Sequence, residues 1–140
     1  MTVTSFDAQQ VLAQYATALD TRDFDLLSNI HTEDASWSFA LGGQVIVGPL
    51  RGRDTIVEFA ATPTEGAPAR QRHVLNNLLS SDSTDTAVQV SSYLTLIAAI
   101  GAAPTVVATA TARFSLALQE DVWRIAELRI EFDNPPFPHW

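Results

Sequence analysis

The chain has 140 residues, of which 46% are hydrophobic and 17% charged, and it carries a formal net charge of −8 with no cysteine. This size predicts a single domain spanning 1–140, and the apolar fraction exceeds the needs of a small core, which indicates a lined cavity or a subunit interface. The negative charge argues against nucleic acid and anionic membranes as partners, and the lack of cysteine excludes disulfides and thiolate chemistry.

The first third of the chain predicts two helices in succession. Ser5 or Asp7 is a suitable cap for the first helix, and Asp23 for the second. Apolar residues recur in the first helix at the three- and four-residue spacing of one buried face: Val11, Leu12, Tyr15, Ala18 and Leu19. The second helix takes its apolar side from Phe24, Leu26, Leu27 and Ile30.

A hairpin and a third short helix are predicted next. Period-two alternation over 35–40, the pair Gly42-Gly43 and the apolar stretch 45–47 are typical of two short strands. Residues 55–61 predict the helix, which Pro63 ends before a loop that reaches Ala69.

The rest of the chain predicts a meander of long antiparallel strands over 71–80, 86–100, 105–118 and 122–132. Strands of this length accumulate twist, so the sheet should coil and present a concave face that the first helix covers. The predicted fold class is α+β: a cone-shaped, curved antiparallel sheet covered by three N-terminal helices around a small-molecule pocket. No basic leader precedes an apolar run, and no stretch approaches the ~18 apolar residues of a membrane span, so a cytoplasmic location is expected.

Imidazole chemistry depends on three histidines. His31 is expected in a solvated turn at the end of the second helix, and His139 in the tail, with structural or surface roles. His73 lies on a long strand, and simple alternation places Asn77 on the same face. If that face is the concave one, Asp20 at the end of the first helix is the best partner for His73, because a carboxylate holding one ring nitrogen leaves the other available as a general base. A helix cap and a satisfied core histidine remain the structural alternatives.

The order of several short motifs resembles scytalone dehydratase and the SnoaL-like proteins of the nuclear transport factor 2-like superfamily, which include polyketide cyclase-like proteins. The motifs are Asp20-Thr21-Arg22-Asp23-Phe24-Asp25-Leu26-Leu27, Asp34-Ala35-Ser36-Trp37, Gly52-Arg53-Asp54-Thr55-Ile56, and Arg72-His73 with Asn77. The resemblance implies that Asp20 and His73 form the acid/base pair of those dehydratases.

Two departures from the dehydratase pattern indicate a different substrate. Leu19 replaces a tyrosine before the aspartate, and 92–97 lacks a second histidine. Tyr15 and Tyr93 remain as candidate phenol donors to a substrate carbonyl. The Asp-Arg-Asp set of limonene-epoxide-hydrolase-like relatives would draw on Arg113 and Arg129, for which a solvated charge ladder with Glu127 and Glu131 is the simpler interpretation.

Aromatic side chains are expected to line or back the cavity, with ordinary core as the alternative: Trp37, Phe39, Phe59, Phe114 and Trp123. The separated histidines give no metal motif, and neither a phosphate loop nor a nucleotide fingerprint is present, so no metal and no cofactor are expected.

These observations predict a cofactor-independent dehydratase, isomerase or cyclase that acts on a small hydrophobic polycyclic or polyketide-like metabolite, in secondary-metabolite or antibiotic biosynthesis by family analogy. The alternatives are a non-catalytic binding or carrier protein, an epoxide hydrolase-like enzyme, and an assembly partner of another enzyme. A homodimer is expected, with the strand faces of Leu94 and Leu96 or of Val106 and Ala108 as candidate interfaces.

Overall fold

The computed structural model describes residues 4–63, 70–101 and 103–136. The loop toward Ala69 and the tail residues from 137 onward, with His139, lie outside the described residues. Among the described residues, three helices and six strands follow one another along the chain: α1 (Ser5–Thr21), α2 (Phe24–Asn29), β1 (His31–Leu41), β2 (Gln44–Arg51), α3 (Arg53–Ala61), β3 (Gln71–Ser81), β4 (Ala87–Ile100), β5 (Ala103–Gln119) and β6 (Val122–Phe132).

The six strands form one curved sheet in the order β2-β1-β6-β5-β4-β3, so β2 and β3 are its edges. Neighbouring strands are antiparallel except β1 and β6, which run parallel. The predicted α+β class is confirmed, and the sheet is mixed because β1 lies beside β6, the last strand of the meander, and runs parallel to it.

Helix α1 begins one residue earlier than the sequence pattern suggests. Thr4 is the cap: its hydroxyl accepts from the backbone N–H of Asp7, while the Asp7 carboxylate accepts from the backbone N–H of Thr4. Asp23 caps α2 as predicted, accepting from the N–H of Leu26 at 3.0 Å. The short turn at Arg22, which adopts left-handed backbone angles, therefore separates two properly ended helices.

The core lies between the helices and one face of the sheet, which we call the inner face. On β4, β5 and β6 every second residue along the strand lies on this face and is buried, including Val90, Leu94, Phe114 and Leu128. The alternate residues form the outer face, which is exposed to solvent or only half-buried. Strand parity thus assigns each residue of the central strands to one of two environments.

Strand β3 departs from simple alternation. Its pairing with β4 shifts between Asn76 and Leu79, and Asn77 has a positive φ of 57°. This is a bulge, in which an extra residue reverses the parity of the strand beyond it. His73 and Leu75 therefore face inward, whereas the predicted neighbours Asn77 and Leu79 are exposed.

Gly48 in β2 lies where its backbone passes close to β1. Its φ is +97°, and an added Cβ would stand 2.6 Å from the carbonyl oxygen of Trp37 and 2.9 Å from the nitrogen of Leu50. Gly48→Ala should lower the free energy of unfolding by about 3 kcal/mol, because positive φ and backbone contact act together. Gly42→Ala is the matched control: φ is also positive there (+60°) but the space is open, so a loss of about 1 kcal/mol is expected. Urea unfolding of both variants measures the difference, and equal losses would contradict the contact argument.

Candidate active site

The last turn of α1 meets the edge strand β3 at Asp20 and His73. The Asp20 carboxylate lies 2.7 Å from the ring Nδ1 of His73, and both of its oxygens lie 3.1 Å from the backbone nitrogen of the same residue. This backbone N–H is available because β3 has a neighbour on one side only. One carboxylate therefore fixes both the strand edge and the imidazole.

The hydrogen bonds select the tautomer of His73. Nδ1–H donates to Asp20, which leaves Nε2 as the nitrogen with a lone pair, and none of the described residues hydrogen-bonds to it. The two side chains are mostly buried, with 15% of the His73 side chain and 11% of the Asp20 side chain exposed. The pair is also the only salt bridge among the residues that the structure describes. An imidazole held in this way can accept a proton at Nε2.

Tyr15 links the dyad to the aromatic core. Its buried ring stands edge-on to three rings, with centroid distances of 6.2 Å to His73, 6.0 Å to Trp37 and 5.4 Å to Phe114. Burial, and to a lesser extent the Asp20 carboxylate, raises the pKa of Tyr15. The phenol therefore stays protonated and can act only as a neutral donor or acceptor.

The remaining aromatic neighbours continue from Trp37 toward α3 and β6. Phe39 lies 5.8 Å from Trp37, 6.0 Å from Phe59 and 6.1 Å from Phe132, measured between ring centroids. Trp37 and Phe39 are buried, and Phe59 packs partly buried against them. Of the predicted lining residues, Tyr15, Trp37, Phe39, Phe59 and Phe114 thus form one group on the side of the sheet that carries the dyad.

Three predicted lining residues lie elsewhere. Asn77 is exposed in the β3 bulge, because the bulge moves it off the face of His73. Tyr93 is 57% exposed on the outer face, since it is out of phase with its buried neighbours on β4. Trp123 is buried, but it pairs with Leu118, ten positions along β5 from the residue Ala108 that lies in the row of His73. It backs the opposite end of the core.

His31 is structural, as expected, but its environment differs from the expectation. It is fully buried rather than solvated: Nδ1–H donates to the carbonyl of Leu27 at 2.7 Å, and Nε2 accepts from the indole N–H of Trp37 at 2.9 Å. Both ring nitrogens are used, so His31 has no lone pair for catalysis. Desolvation lowers the pKa of His31 to about 4.

The outer face of the sheet carries a groove of about 320 Å³ on the side away from the dyad. Its lining includes Ser38, Ala40, Thr111, Arg113, Arg129 and Glu131. Arg113 pairs directly with Arg129 across β5 and β6, and among the described residues neither makes a salt bridge. The arginines are therefore solvated, as expected, although the predicted charge ladder does not close into ion pairs. They also lie too far from the inner face to complete an epoxide hydrolase-like set with Asp20.

The alternation of inner and outer residues also corrects the two strand faces that were predicted as dimer interfaces. Leu94, Leu96 and Ala108 are 2–4% exposed and belong to the inner face, whereas Val106 is 58% exposed. The pairing of β4 with β5 shifts by one residue between Leu96 and Ile97, so Val106 lies on the outer face although Ala108, two residues later, lies on the inner face. The exposed apolar residues of the outer face include Val106, Tyr93 and Val74, which lie on the neighbouring strands β5, β4 and β3.

Ser92 was not predicted as a site residue. It lies on the inner face of β4 with 1% exposure, and its hydroxyl has no hydrogen-bond partner among the described residues. The sequence does contain a signal, because Ser92 interrupts an otherwise apolar series at period two: Val88, Val90, Leu94 and Leu96. A polar side chain in such a series is placed in the core.

Comparison with known proteins identifies the family. The SnoaL-like domain model matches residues 7–129, and the chain belongs to this family. No curated protein matches the sequence. Among the described residues, no helix is long and apolar enough to cross a membrane.

Three solved structures illustrate the similarity. A Catenulispora acidiphila protein, solved in complex with S-DNPA, is 26% identical with a TM-score of 0.73, and the alignment covers 90% of each chain. Aln2 from a Streptomyces species is 25% identical with a TM-score of 0.75, covering 91% of this chain and 89% of Aln2. A nuclear transport factor 2-like protein with a cystatin-like fold from Novosphingobium aromaticivorans is 15% identical with a TM-score of 0.74, covering 90% and 79%. The predicted resemblance is thereby confirmed.

The depressed pKa of His31 predicts a loss of stability in acid. The folded protein binds a proton at His31 less readily than the unfolded chain does, in which the pKa of a histidine is about 6.5. The stability that the neutral His31 ring contributes is therefore fully present above pH 6.5 and is lost as the pH falls toward 4. Between pH 7 and 4.5 it should fall by roughly 2 kcal/mol. Urea unfolding at both pH values should show a smaller decline for His31→Gln than for the wild type. Equal declines would contradict the assignment.

Proposed function

We propose that this protein is a cofactor-independent acid/base enzyme, a dehydratase, isomerase or cyclase, that acts on a small hydrophobic polycyclic or polyketide-like metabolite. The observation that carries the proposal is the 2.7 Å contact between Asp20 and Nδ1 of His73, which leaves Nε2 as the proton acceptor beside an aromatic core. The Catenulispora acidiphila relative was solved in complex with S-DNPA, which supports the binding of a ligand by a protein of this fold.

The proposed reaction begins with transfer of a proton from the carbon next to a substrate carbonyl to Nε2 of His73. The electron pair of the broken C–H bond forms an enolate, and Asp20 stabilises the imidazolium through Nδ1–H. The enolate oxygen needs a donor, and Tyr15 is the candidate because its phenol remains protonated beside His73. In a dehydration the enolate then expels a β-hydroxyl, which takes the proton back from the imidazolium and leaves as water. In an isomerisation the proton returns to a different carbon.

The base is tested with 2-tetralone, a bicyclic ketone with acidic C–H bonds next to its carbonyl. In deuterium oxide the wild type should accelerate the loss of the C1 proton signal in NMR spectra. His73→Gln and Asp20→Asn should each lower the rate by about 100-fold or more, since a positioned general base contributes about 10²–10⁴-fold. The matched control is Glu58→Gln, a carboxylate change on the exposed side of α3.

Both dyad variants must remain folded, which circular dichroism checks, because Asp20 also holds the β3 edge. Full exchange activity in either variant would remove the dyad from the mechanism. Exchange in the wild type no faster than in buffer, with 2-tetralone still bound, would assign the alternative function of a non-catalytic binding or carrier protein.

The proposal includes a homodimer formed through the outer face. Val74, Tyr93 and Val106 are 40%, 57% and 58% exposed on neighbouring strands. Beside them the outer face carries two arginines and two glutamates without ion pairs among the described residues, Arg113, Arg129, Glu127 and Glu131. A two-fold axis would bring this patch against its own copy, so that arginine meets glutamate and apolar side chains meet each other.

Tyr93→Asp should shift sedimentation equilibrium from dimer toward monomer, because a charge would replace an apolar contact at the centre of the interface. Val122→Asp is the matched control, since Val122 is also exposed, at 45%, but lies at the start of β6, away from this patch. A wild-type monomer, or an equal effect of both substitutions, would contradict the outer-face dimer.

A further inference from the structure

The outer face of the sheet carries two arginines side by side. Arg113 on β5 pairs directly with Arg129 on β6, so the two side chains leave adjacent strands on the same face. In an antiparallel pair the Cβ atoms of such residues are about 4.5–5.5 Å apart, and like charges directly opposite each other are destabilising. Among the described residues, neither guanidinium group takes part in a salt bridge. The pair concentrates positive charge in a chain whose net charge is −8, and an anion would relieve its repulsion.

Both arginines line the outer-face groove of about 320 Å³, and the strand register shows how its lining is arranged. The side chains form two rows across the sheet, two residues apart along each strand. The first row consists of Ser38, Arg129 and Arg113, and the second of Val45, Ala40, Glu131 and Thr111. The groove therefore has a basic side, made by the first row, and an apolar end, made by Ala40 and Val45.

The groove is open to solvent, unlike the packed core on the inner face. Arg113, Arg129, Glu131 and Val45 are exposed, and the serine, alanine and threonine of the lining are half-buried. Small-molecule sites have volumes of about 300–1,000 Å³, so this groove lies at the lower end of that range. A small molecule can therefore reach the guanidinium groups without any change in the core.

The acidic side chain of the lining is already engaged. Glu131 accepts a hydrogen bond from the backbone N–H of Gly43 at 2.8 Å, which ties its carboxylate to the turn between β1 and β2. Two arginines against this one glutamate leave the lining with a positive excess of one charge. Glu127 lies one row beyond the arginines, where it pairs with Ser36 and Ser115. The charge of the groove therefore favours an anion.

We propose that this groove is a binding site for a small organic carboxylate. Arginine presents a planar fork of N–H donors that matches a carboxylate through two parallel hydrogen bonds, which are stronger than bonds between neutral groups. The carboxylate lies between Arg113 and Arg129, and the apolar body of the ligand extends over Ala40 toward Val45. The inference goes beyond the proposed function, because the groove lies on the opposite face of the sheet from the dyad.

The test compares benzoate with benzamide, which has nearly the same shape and no charge. Microscale thermophoresis should show the wild type binding benzoate at least 10-fold more tightly than benzamide, since a hydrogen bond to a charged group contributes about this much. Arg113→Gln and Arg129→Gln should each weaken benzoate binding by about 10-fold and leave the benzamide affinity unchanged. Arg72→Gln is the matched control, because Arg72 is an exposed arginine on the edge strand β3, where it pairs with Ile97.

The two groove variants should remain folded. Each removes one of two like charges that face each other, so the melting temperature of the free protein should stay the same or rise. Lower melting temperatures in both variants would contradict the argument that the arginine pair is kept for a ligand. Unchanged benzoate affinity in both variants would overturn the site, as would a wild type that binds benzoate no more tightly than benzamide or not at all.

Two further measurements locate and identify the ligand. His73→Gln should leave the benzoate affinity unchanged, and a loss in this variant would place the carboxylate at the dyad and overturn the groove. Inorganic phosphate shows whether charge alone is sufficient for binding. Phosphate that binds more tightly than benzoate would overturn the organic ligand, since phosphate has no apolar body to contact Val45.

The proposed homodimer draws on the same arginines, because each copy would place glutamates against them. The titrations are therefore run with the protein diluted until sedimentation velocity shows a monomer. Binding measured in this way depends neither on the dimer nor on turnover. Loss of the groove site with an active dyad, or benzoate binding in an inactive protein, would therefore separate this inference from the proposed function.

Discussion

The carboxylate of Asp20 is the interaction on which the arrangement of the site depends. Asp20 lies in the last turn of α1, and its carboxylate accepts hydrogen bonds from one residue of β3. Both of its oxygens contact the backbone N–H of His73, and one of them also contacts the ring Nδ1–H. Since β3 is an edge strand, its outward N–H groups would otherwise need water or another partner. The bond that attaches the helix to the sheet is therefore the bond that orients the imidazole, and any change in one alters the other.

The two histidines near the core differ in what their second nitrogen does. His31 gives Nδ1–H to Leu27 and takes the indole N–H of Trp37 at Nε2, so its ring is a fully used connector between α2 and β1. His73 uses Nδ1 alone. The ring of Tyr15 packs edge-on against both His73 and Trp37. Because Trp37 donates its indole N–H to His31, the two histidines are connected through Tyr15 and Trp37. Partner count, more than burial, distinguishes a structural histidine from a candidate base here.

Periodicity predicted the helices and strands of the fold closely, because amphipathic patterns are local properties that burial enforces. The pairing of Asp20 with His73 was within reach of the sequence, since it needed only the end of one helix and the parity of one strand, with family resemblance as support. Asn77 was beyond it: a single positive φ reversed the face of every later residue of β3, and no local pattern announces that bulge. The parallel partnership of β1 and β6 likewise depends on tertiary packing. The partners of His31 could not be predicted either, because its hydrogen bonds depend on how α2 packs against β1, which no local sequence pattern specifies.

Strand β4 shows how two environments are separated within one element. Tyr93 and Ser92 are adjacent in sequence, yet one is 57% exposed on the outer face and the other 1% exposed on the inner face. Because alternate residues of a strand point to opposite faces, a substitution at an odd position of β4 changes the outer face without touching the core, and a substitution at an even position does the reverse. The packing of the core and the chemistry of the outer surface can therefore change independently along the same strand, as long as the inner residues keep the volume that close packing against the alanines of β5 requires.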